Sequence, residues 1–341
     1  MSKRMRKDAP LRSLEEEVAA LSAGSPAPLV AAVYDSGNVT RAAASDGSSA
    51  THAAELLTSR FEIGSVTKVL TGTLLGVLVE SGDINPDTPV DELLGKSLHW
   101  RDRPPTLTEL ASHRAGLPNT PHKLRWREAG VALGLSTNDP WRGIGPAEYQ
   151  SLLEKAARRA SVGGKARYSS MGIGLLGDAL AHAANTDFET LLARKVLTPL
   201  GMTATDSSRP DSGPNTVVRG INRKGQQVPY LHDQMPAAGM LASTIDDLLI
   251  LGRTILGDGD AEVVAGLQRA ITPIAPFSGV QVGYCWLIAD NDQGRVVFHN
   301  GGTWGSQAHL SIAPDRNRIV VLLSGTYRDL DSLGGRIVDA T

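Results

Sequence analysis

The stretch RFEIGSVTKVLTGTLLGVLVESG, at residues 60–82, constrains the fold more than any other segment of the chain. Beyond Ser65 and Lys68 its residues are almost all apolar, which predicts a helix over residues 66–81 that Gly82 ends. A helix that is apolar on most sides has to be buried. The rest of the chain must therefore fold around this segment.

The serine and the lysine at the start of this helix have a spacing with chemical meaning. Ser65 is the only serine with a lysine three positions later, and that spacing places both side chains on one helix face. Burial lowers the pKa of a lysine, so that Lys68 can take the Ser65 proton near neutral pH. The N–H groups of the helix N-terminus are suited to stabilise an oxyanion. A helix-capping serine followed by a lysine that extends to solvent explains the same residues, and the pair alone does not decide between them.

The remaining patterns predict strands near both ends of the chain and helices between them. Strands are predicted at residues 30–34, 39–43, 217–221, 282–289, 295–299, 308–313 and 319–324, and residues 45–60 are predicted to be a loop. Helices are predicted at residues 14–21, 107–113, 146–160, 172–184, 188–197, 244–256, 261–271 and 331–339. We therefore expect an α/β domain built from residues 1–90 and 215–341, a mostly α-helical insertion at 91–214, and an active site at their interface.

Composition excludes several classes of protein. The formal net charge is -2, and the 34 basic and 36 acidic residues are interspersed, which argues against a nucleic-acid partner. No run reaches about 18 apolar residues, so no membrane partner is expected. The basic N-terminus is not followed by the apolar core of a signal peptide, and Cys285 is the single cysteine, so we expect a cytoplasmic protein. Oligomeric state is left open.

Cofactor and metal signals are weak. The eight histidines are scattered without metal-ligand spacing, so no metal is expected. The sequence GIGLLG at residues 172–177 fits the Gly-x-Gly-x-x-Gly pattern, but no convincing strand precedes it. We interpret it as close helix packing, and no cofactor is expected.

Several ordered motifs carry a resemblance to a known superfamily. The sequence FEIGSVTKVLTGTLLGVLVESGDINPDTPVDELL resembles the nucleophile region of the serine β-lactamases and penicillin-binding proteins. LTELASHRAGLP, ARYSSMGIGLLGDAL, LLARKVLTPLGMTATD and HNGGTWGSQAHLSIAPDRNRIVVLLS resemble later landmarks of its class C-like branch, in the expected order. That branch includes esterases, D-stereospecific aminopeptidases and acyltransferases. The resemblance runs from about residue 29 to 324, and implies a β-lactamase/DD-peptidase-like α/β fold: an antiparallel sheet flanked by helices, with a mostly α-helical insertion.

The resemblance also implies catalytic roles. Ser65 would be the acylated nucleophile and Lys68 its proton partner, while Tyr168 would move the proton, as a phenolate base or as donor to the leaving group. From the residues alone Tyr168 is equally well a core tyrosine, since Tyr34 and Tyr149 are also followed by serine at the second position. The family motif selects Tyr168.

The resemblance further implies an oxyanion hole and a substrate-binding strand. The N–H groups of Ser65 and Gly302 would form the hole, and the family's Lys-Thr-Gly triplet would be replaced by His299, Asn300 and Gly301. The third position of the family's Tyr-x-Asn motif is Ser170. These departures remove a fixed positive charge and an amide, since His299 can be neutral. They weaken the interpretation as a penicillin hydrolase.

Aromatic residues mark the expected surroundings of the site. Trp304 follows the replaced triplet, and Trp141 lies in a polar and aromatic stretch at residues 119–145 that also contains Trp126, Arg125, Arg127 and Arg142. We expect Trp304 and Trp141 to bind substrate, and the stretch to shape a pocket for an aromatic or anionic group. A solvated surface lobe is the other interpretation of this stretch.

The sequence thus predicts a serine hydrolase that forms an acyl-enzyme with an ester or amide of a small molecule or short peptide. An acyltransferase or cyclase of a biosynthetic pathway would use the same acyl-enzyme with a different acceptor. A non-catalytic family member that only binds a ligand is the second alternative.

Overall fold

One antiparallel sheet of eight strands organises the computed structural model, which describes residues 12–45, 50–209, 216–231 and 234–340. The strands are β1 (Leu29–Asp35), β2 (Asn38–Ala44), β3 (Phe61–Glu62), β4 (Ala242–Ser243), β5 (Ala275–Phe277), β6 (Val280–Val282), β7 (Leu287–Asn291), β8 (Gly294–Gly302), β9 (Gln307–Ala313) and β10 (Arg318–Ser324). Their order in the sheet is β2-β1-β10-β9-β8-β7-β6-β5, while β3 and β4 pair separately. The sheet thus joins strands from both ends of the chain.

Helices form most of the chain between β2 and β5. The helices are α1 (Leu14–Ser22), α2 (Ala50–Leu57), α3 (Thr67–Glu80), α4 (Val90–Leu94), α5 (Leu107–Ala111), α6 (Arg125–Ala132), α7 (Pro146–Ala157), α8 (Ser170–Ala183), α9 (Phe188–Leu192), α10 (Thr198–Leu200), α11 (Pro236–Gly239), α12 (Ile245–Ile255), α13 (Ala261–Ala270) and α14 (Leu330–Val338). Within the described ranges, none of them is long and apolar enough to cross a bilayer.

The sheet lies between two layers of helices because its strands alternate their side chains. Leu29 and Ala31 of β1 pack with α1 and α14 on one face. Val30 and Ala32 point to the other face, where they join the large core that contains α3, α12 and α13. Burial of both faces fits the nearly continuous apolar sequence of the central strands.

Helix α3 is buried along nearly its whole length, and its glycines allow close contact with neighbouring backbones. A Cβ atom on Gly76 would lie 2.0 Å from the carbonyl oxygen of Gly266 in α13. A Cβ atom on Gly72 would lie 1.9 Å from the carbonyl oxygen of Tyr284. The two glycines therefore fix α3 against α13 and against the turn before β7.

The structure confirms the hairpin, the central apolar helix, the other predicted helices and the strands at 295–299, 308–313 and 319–324, with ends that differ by a few residues. The predicted loop at 45–60 is wrong, because α2 occupies much of it. The predicted strand at 217–221 is also wrong, since that segment contributes single bridges.

The predicted strand at 282–289 is divided into β6 and β7 by a turn. Cys285 there has a φ of +64°, and the N–H groups of Tyr284 and Cys285 donate to Ala270 and Ala111 instead of to a neighbouring strand. The boundaries 91–214 of the helical insertion stay a prediction, and residues 210–215 lie outside the described ranges. The basic start of the chain, at residues 1–11, lies outside them too.

Candidate active site

Ser65 lies in a short 3-10 turn, Gly64–Val66, that leads directly into α3. Gly64 has a φ of +48°, a left-handed conformation that favours glycine. The residues at the N-cap positions of the turn and of α3 are Ile63 and Val66. The interpretation of Ser65 as a helix-capping serine is therefore wrong, and its hydroxyl is available for other contacts.

Lys68 is fully buried, with 0% of its surface exposed, so the interpretation of a lysine that extends to solvent is wrong too. Its Nζ lies 3.0 Å from Ser65 Oγ and donates to the carbonyl oxygen of Ala238 at 2.5 Å. Burial lowers the pKa of Lys68 from 10.5 to about 7. A large fraction of this amine is therefore uncharged at neutral pH, and its lone pair can accept the Ser65 proton.

Tyr168 completes a group of three polar side chains at the end of α3. Its hydroxyl is hydrogen-bonded to Ser65, and its ring centroid lies 5.0 Å from Lys68 Nζ. Burial raises the pKa of Tyr168 well above its usual value of 10.0. The side chain is therefore a phenol at neutral pH, which favours a relay role over a phenolate base.

Two uncharged imidazoles enclose this group. The ring of His113 lies 4.9 Å from that of Tyr168, and the ring of His299 lies 6.2 Å from it. Burial lowers the pKa of His113 to about 3 and that of His299 to about 4, and the Lys68 charge contributes to both shifts. The low pKa of His299 agrees with the expectation that it can be neutral, and His113 is buried against the ring of Tyr168.

The end of β8 lies against the Ser65 turn at backbone distance. A Cβ atom on Gly301 would lie 1.9 Å from the carbonyl oxygen of Ile63 and 3.1 Å from the nitrogen of Ser65. A Cβ atom on Gly64 would lie 2.7 Å from the nitrogen of Gly302. Glycines on both sides therefore bring the N–H groups of Ser65 and Gly302 to the same small region, as an oxyanion hole needs.

The other side chains of the replaced triplet point away from the site or into the core. Asn300 is exposed, and its amide donates to Asp331 in α14 at 2.6 Å. His299 is buried, and its Nδ1 lies 2.5 Å from the carbonyl oxygen of Asn300. Direct contact of Asn300 with a substrate therefore stays a prediction. The hydrogen bond to Asp331 does not favour it, because it directs the amide toward α14.

Ser170 has an unexpected amide beside it. Its hydroxyl donates to Asn119 Oδ1 at 2.7 Å, and its backbone N–H donates to the same oxygen at 3.2 Å. Asn119 and Ser170 both line the cavity in front of Ser65. The amide that the Tyr-x-Asn motif lacks here is therefore supplied from a different segment of the chain.

The cavity has a volume of about 170 Å³, and its wall includes Ser65, Tyr168, Gly302 and Trp304. Trp304 is thus placed where the sequence predicts it. Trp141 is buried behind the wall and donates through Nε1 to Glu128 Oε1 at 2.9 Å. Its influence on a ligand in this cavity would pass through Glu128.

Glu128 is a wall residue that the sequence analysis missed. Thr120 is hydrogen-bonded to its carboxyl group as well, and burial raises the pKa of Glu128 above its usual value of 4.5. Asn119, Thr120 and Glu128 all lie in the polar and aromatic stretch at 119–145, so the expectation that this stretch shapes the pocket is met. An anionic group on the substrate is not favoured, because Glu128, the charged side chain in the described wall, is acidic.

Comparison with known proteins shows the family of the chain. The model of the family described as Beta-lactamase matches residues 14–336. The chain is 29% identical over 282 residues to the D-alanyl-D-alanine-carboxypeptidase/endopeptidase AmpH of Escherichia coli (strain K12), a match that covers 76% of this chain and 69% of that protein. The superfamily resemblance is therefore confirmed.

Solved structures show the same fold. The D-alanine carboxypeptidase AmpC from Burkholderia cenocepacia has a TM-score of 0.77 and 17% identity, with 96% of this chain and 97% of that chain covered. The class C β-lactamase from Rhodobacter sphaeroides has a TM-score of 0.75 and 19% identity, with 92% and 93% covered. The prediction of a β-lactamase/DD-peptidase-like fold is confirmed.

Proposed function

The chain belongs to the Beta-lactamase family, whose members are serine hydrolases, and we propose that this protein forms an acyl-enzyme at Ser65 with an ester or amide substrate. The substrate is a small molecule or a short peptide. The observation that carries the proposal is the 3.0 Å contact between Ser65 Oγ and the Nζ of Lys68, which is fully buried. A buried amine with a pKa of about 7 beside a hydroxyl is a base placed at a nucleophile.

The first step is attack on the carbonyl carbon. Lys68 takes the proton of Ser65 as Oγ forms the new bond, and the carbonyl electron pair moves onto oxygen. The N–H groups of Ser65 and Gly302 are the donors that receive this oxyanion. The N–H groups of Ser65 and Gly302 are close together because Gly301, which has no Cβ atom, packs directly against the carbonyl oxygen of Ile63.

Collapse of the intermediate breaks the bond to the leaving group. Tyr168 is a phenol that is hydrogen-bonded to Ser65, and it passes its proton to the leaving nitrogen or oxygen. It then recovers a proton from Lys68. A water molecule then attacks the acyl-enzyme, with Lys68 again accepting the proton. The bond between Ser65 Oγ and the acyl carbon then breaks, Lys68 returns the proton to Oγ, and the acid product leaves.

Substrates without a penicillin-type carboxylate fit this site better. The strand position that a lysine holds in the family's Lys-Thr-Gly triplet is held by His299, whose pKa of about 4 leaves it uncharged at neutral pH. The curated relative AmpH is described as a carboxypeptidase and endopeptidase, which supports peptide amides as one substrate class.

The proposal is tested by turnover of 4-nitrophenyl esters, amino-acid amides and a chromogenic cephalosporin by wild type and by Ser65→Ala. Wild type is expected to hydrolyse at least one ester or amide, and Ser65→Ala is expected to lose that activity. Ser151→Ala is the matched control, because Ser151 is exposed on α7. Loss of activity in this control alone, or full activity in Ser65→Ala, would contradict the proposal.

Product analysis separates hydrolysis from acyl transfer. The same reactions are run with added amines and alcohols, and the products are identified by mass. We expect the free acid as the main product. Formation of the amide or ester of the acceptor in its place would make the protein an acyltransferase with the same acyl-enzyme.

A further inference from the structure

The wall of the cavity in front of Ser65 has one charged side chain among the described residues that form it. This residue is Glu128, and the other side chains of the described wall are hydroxyl, amide, aromatic or apolar. Of the neighbouring nitrogen groups, His299 is neutral at neutral pH, and Lys68, with a pKa of about 7, is about half protonated there. Glu128 is therefore the charged side chain that a ligand meets in the described wall of this cavity.

Three buried carboxylates among the described residues have cationic partners, whereas the buried Asp247 accepts hydrogen bonds from uncharged donors. Glu109 accepts from Arg103 Nη2 at 2.5 Å, and Glu17 accepts from Arg336 Nη2 at 2.7 Å. Glu62, which lies behind the cavity wall, is 3.7 Å from Arg209 Nε. Pairing of this kind is the usual condition for burying a charged side chain.

Glu128 is partly buried and lines the cavity, and within the described ranges no lysine, arginine or histidine is paired with it. Its hydrogen-bond donors are the uncharged groups of Trp141 and Thr120. Arg127, the preceding residue, donates instead to the carbonyl oxygen of Pro140 at 3.2 Å. The carboxylate is thus held in a fixed position and lacks a counter-charge.

We propose that Glu128 binds a positively charged ammonium group of the substrate, so that the preferred substrates are esters or amides of amino acids with a free amino group. The inference rests on the proposed acyl-enzyme chemistry at Ser65, since it concerns the same cavity. A cation placed against Glu128 would complete a charge pair and form a charge-assisted hydrogen bond. A substrate carboxylate at the same place would be repelled.

The size of the cavity favours a compact cation. A volume of about 170 Å³ lies below the range of about 300–1,000 Å³ that is usual for drug-sized ligands. A primary ammonium is small and carries three donors, which suits a single carboxylate. A guanidinium on a long side chain needs more room and a second acceptor in its plane.

The test compares substrates with and without this charge, and the Glu128→Gln variant separates the effect of the charge from that of size. Alanine 4-nitroanilide, in both L and D forms, is assayed beside its N-acetyl derivative with wild type and with Glu128→Gln. Wild type is expected to prefer the free amine in kcat/KM, and Glu128→Gln is expected to lower that preference by about 10- to 100-fold, because a hydrogen bond to a charged group is replaced by a neutral one. Glu92→Gln, at an exposed position of α4, is the control and keeps the wild-type preference. An unchanged preference in Glu128→Gln would overturn the inference.

A measurement on wild type makes the test independent of how the variant folds. Propylammonium chloride is expected to inhibit hydrolysis of the uncharged 4-nitrophenyl acetate competitively, while sodium propionate at the same ionic strength is not. Inhibition by propionate alone would overturn the inference. If Ser65→Ala still hydrolyses 4-nitrophenyl acetate, the proposed function fails, whereas Ser65-dependent hydrolysis without ammonium preference refutes only the role of Glu128.

Discussion

Replacement of Lys68 by methionine should make the protein more stable while it removes activity. Lys68 is fully buried, and its pKa falls from 10.5 to about 7. This drop costs the charged form about 5 kcal/mol, because each tenfold change in proton affinity is worth about 1.4 kcal/mol. Methionine has a similar shape and no charge, so the variant Lys68→Met escapes this cost.

The gain is reduced by the two contacts that methionine cannot make. Nζ of Lys68 is hydrogen-bonded to Ser65 Oγ and to the carbonyl oxygen of Ala238. A hydrogen bond contributes about 1.5 kcal/mol at the upper end of its usual range. We therefore expect Lys68→Met to be more stable than wild type by about 2 kcal/mol at pH 6.

The sign of the pH dependence follows from the lowered pKa of Lys68. Below pH 7 both folded and unfolded chains carry the charge, so wild type bears the full cost of burying it. Between pH 7 and 10.5 the folded lysine is neutral while the unfolded one is charged, and the unfolded chain binds more protons. The stability of wild type therefore rises with pH in this window, and the advantage of Lys68→Met falls to about zero by pH 9.

Urea unfolding of wild type and Lys68→Met at pH 6 and pH 9 measures this difference. Lys155→Met is the matched control, because Lys155 is exposed on α7 and its replacement should give the same stability difference at both pH values. If the stability difference between Lys68→Met and wild type is the same at pH 6 and pH 9, the folded protein does not lower the pKa of Lys68.

Three further predictions concern catalysis and are checked by steady-state kinetics on an uncharged ester. The value of kcat/KM should fall about tenfold per pH unit below pH 7, where Lys68 is protonated, and should level off above it. Gly301→Ala should lose most activity, because its Cβ would lie 1.9 Å from the carbonyl oxygen of Ile63 and would push β8 from the Ser65 turn, whereas Gly335→Ala meets open space and should keep it. Tyr168→Phe should lower kcat by about 10²- to 10⁴-fold, the usual contribution of a proton-transfer group, and a loss below about threefold would remove Tyr168 from the mechanism.

The sequence predicted those parts of the site that depend on local spacing. Ser65 and Lys68 meet because they lie three residues apart at one helix start, and the apolar residues after them bury the amine. Tyr168 needed the order of the family motifs, since Tyr34 and Tyr149 have the same local pattern. The same order of motifs predicts that the end of β8, at residues 299–302, lies at the site.

The missed parts depend on contacts between distant segments. Glu128 of α6 reaches a cavity wall that is built from several distant segments, and no periodicity in its own stretch indicates which side chain points inward. Asn119 supplies its amide to Ser170 across 51 positions of sequence. The apolar residues around Cys285 predict a strand, but in the structure the N–H groups of Tyr284 and Cys285 donate to the carbonyl oxygens of Ala270 and Ala111.

The intact mass of the protein after incubation with a fluorophosphonate tests most directly whether Ser65 is the nucleophile. Wild type should gain the mass of one adduct, which peptide mapping should place on Ser65, and the rate should follow the deprotonation of Lys68 near pH 7. Ser65→Ala should gain no adduct. An unmodified wild type, or an adduct that persists in Ser65→Ala, would contradict the claim that Ser65 is the nucleophile.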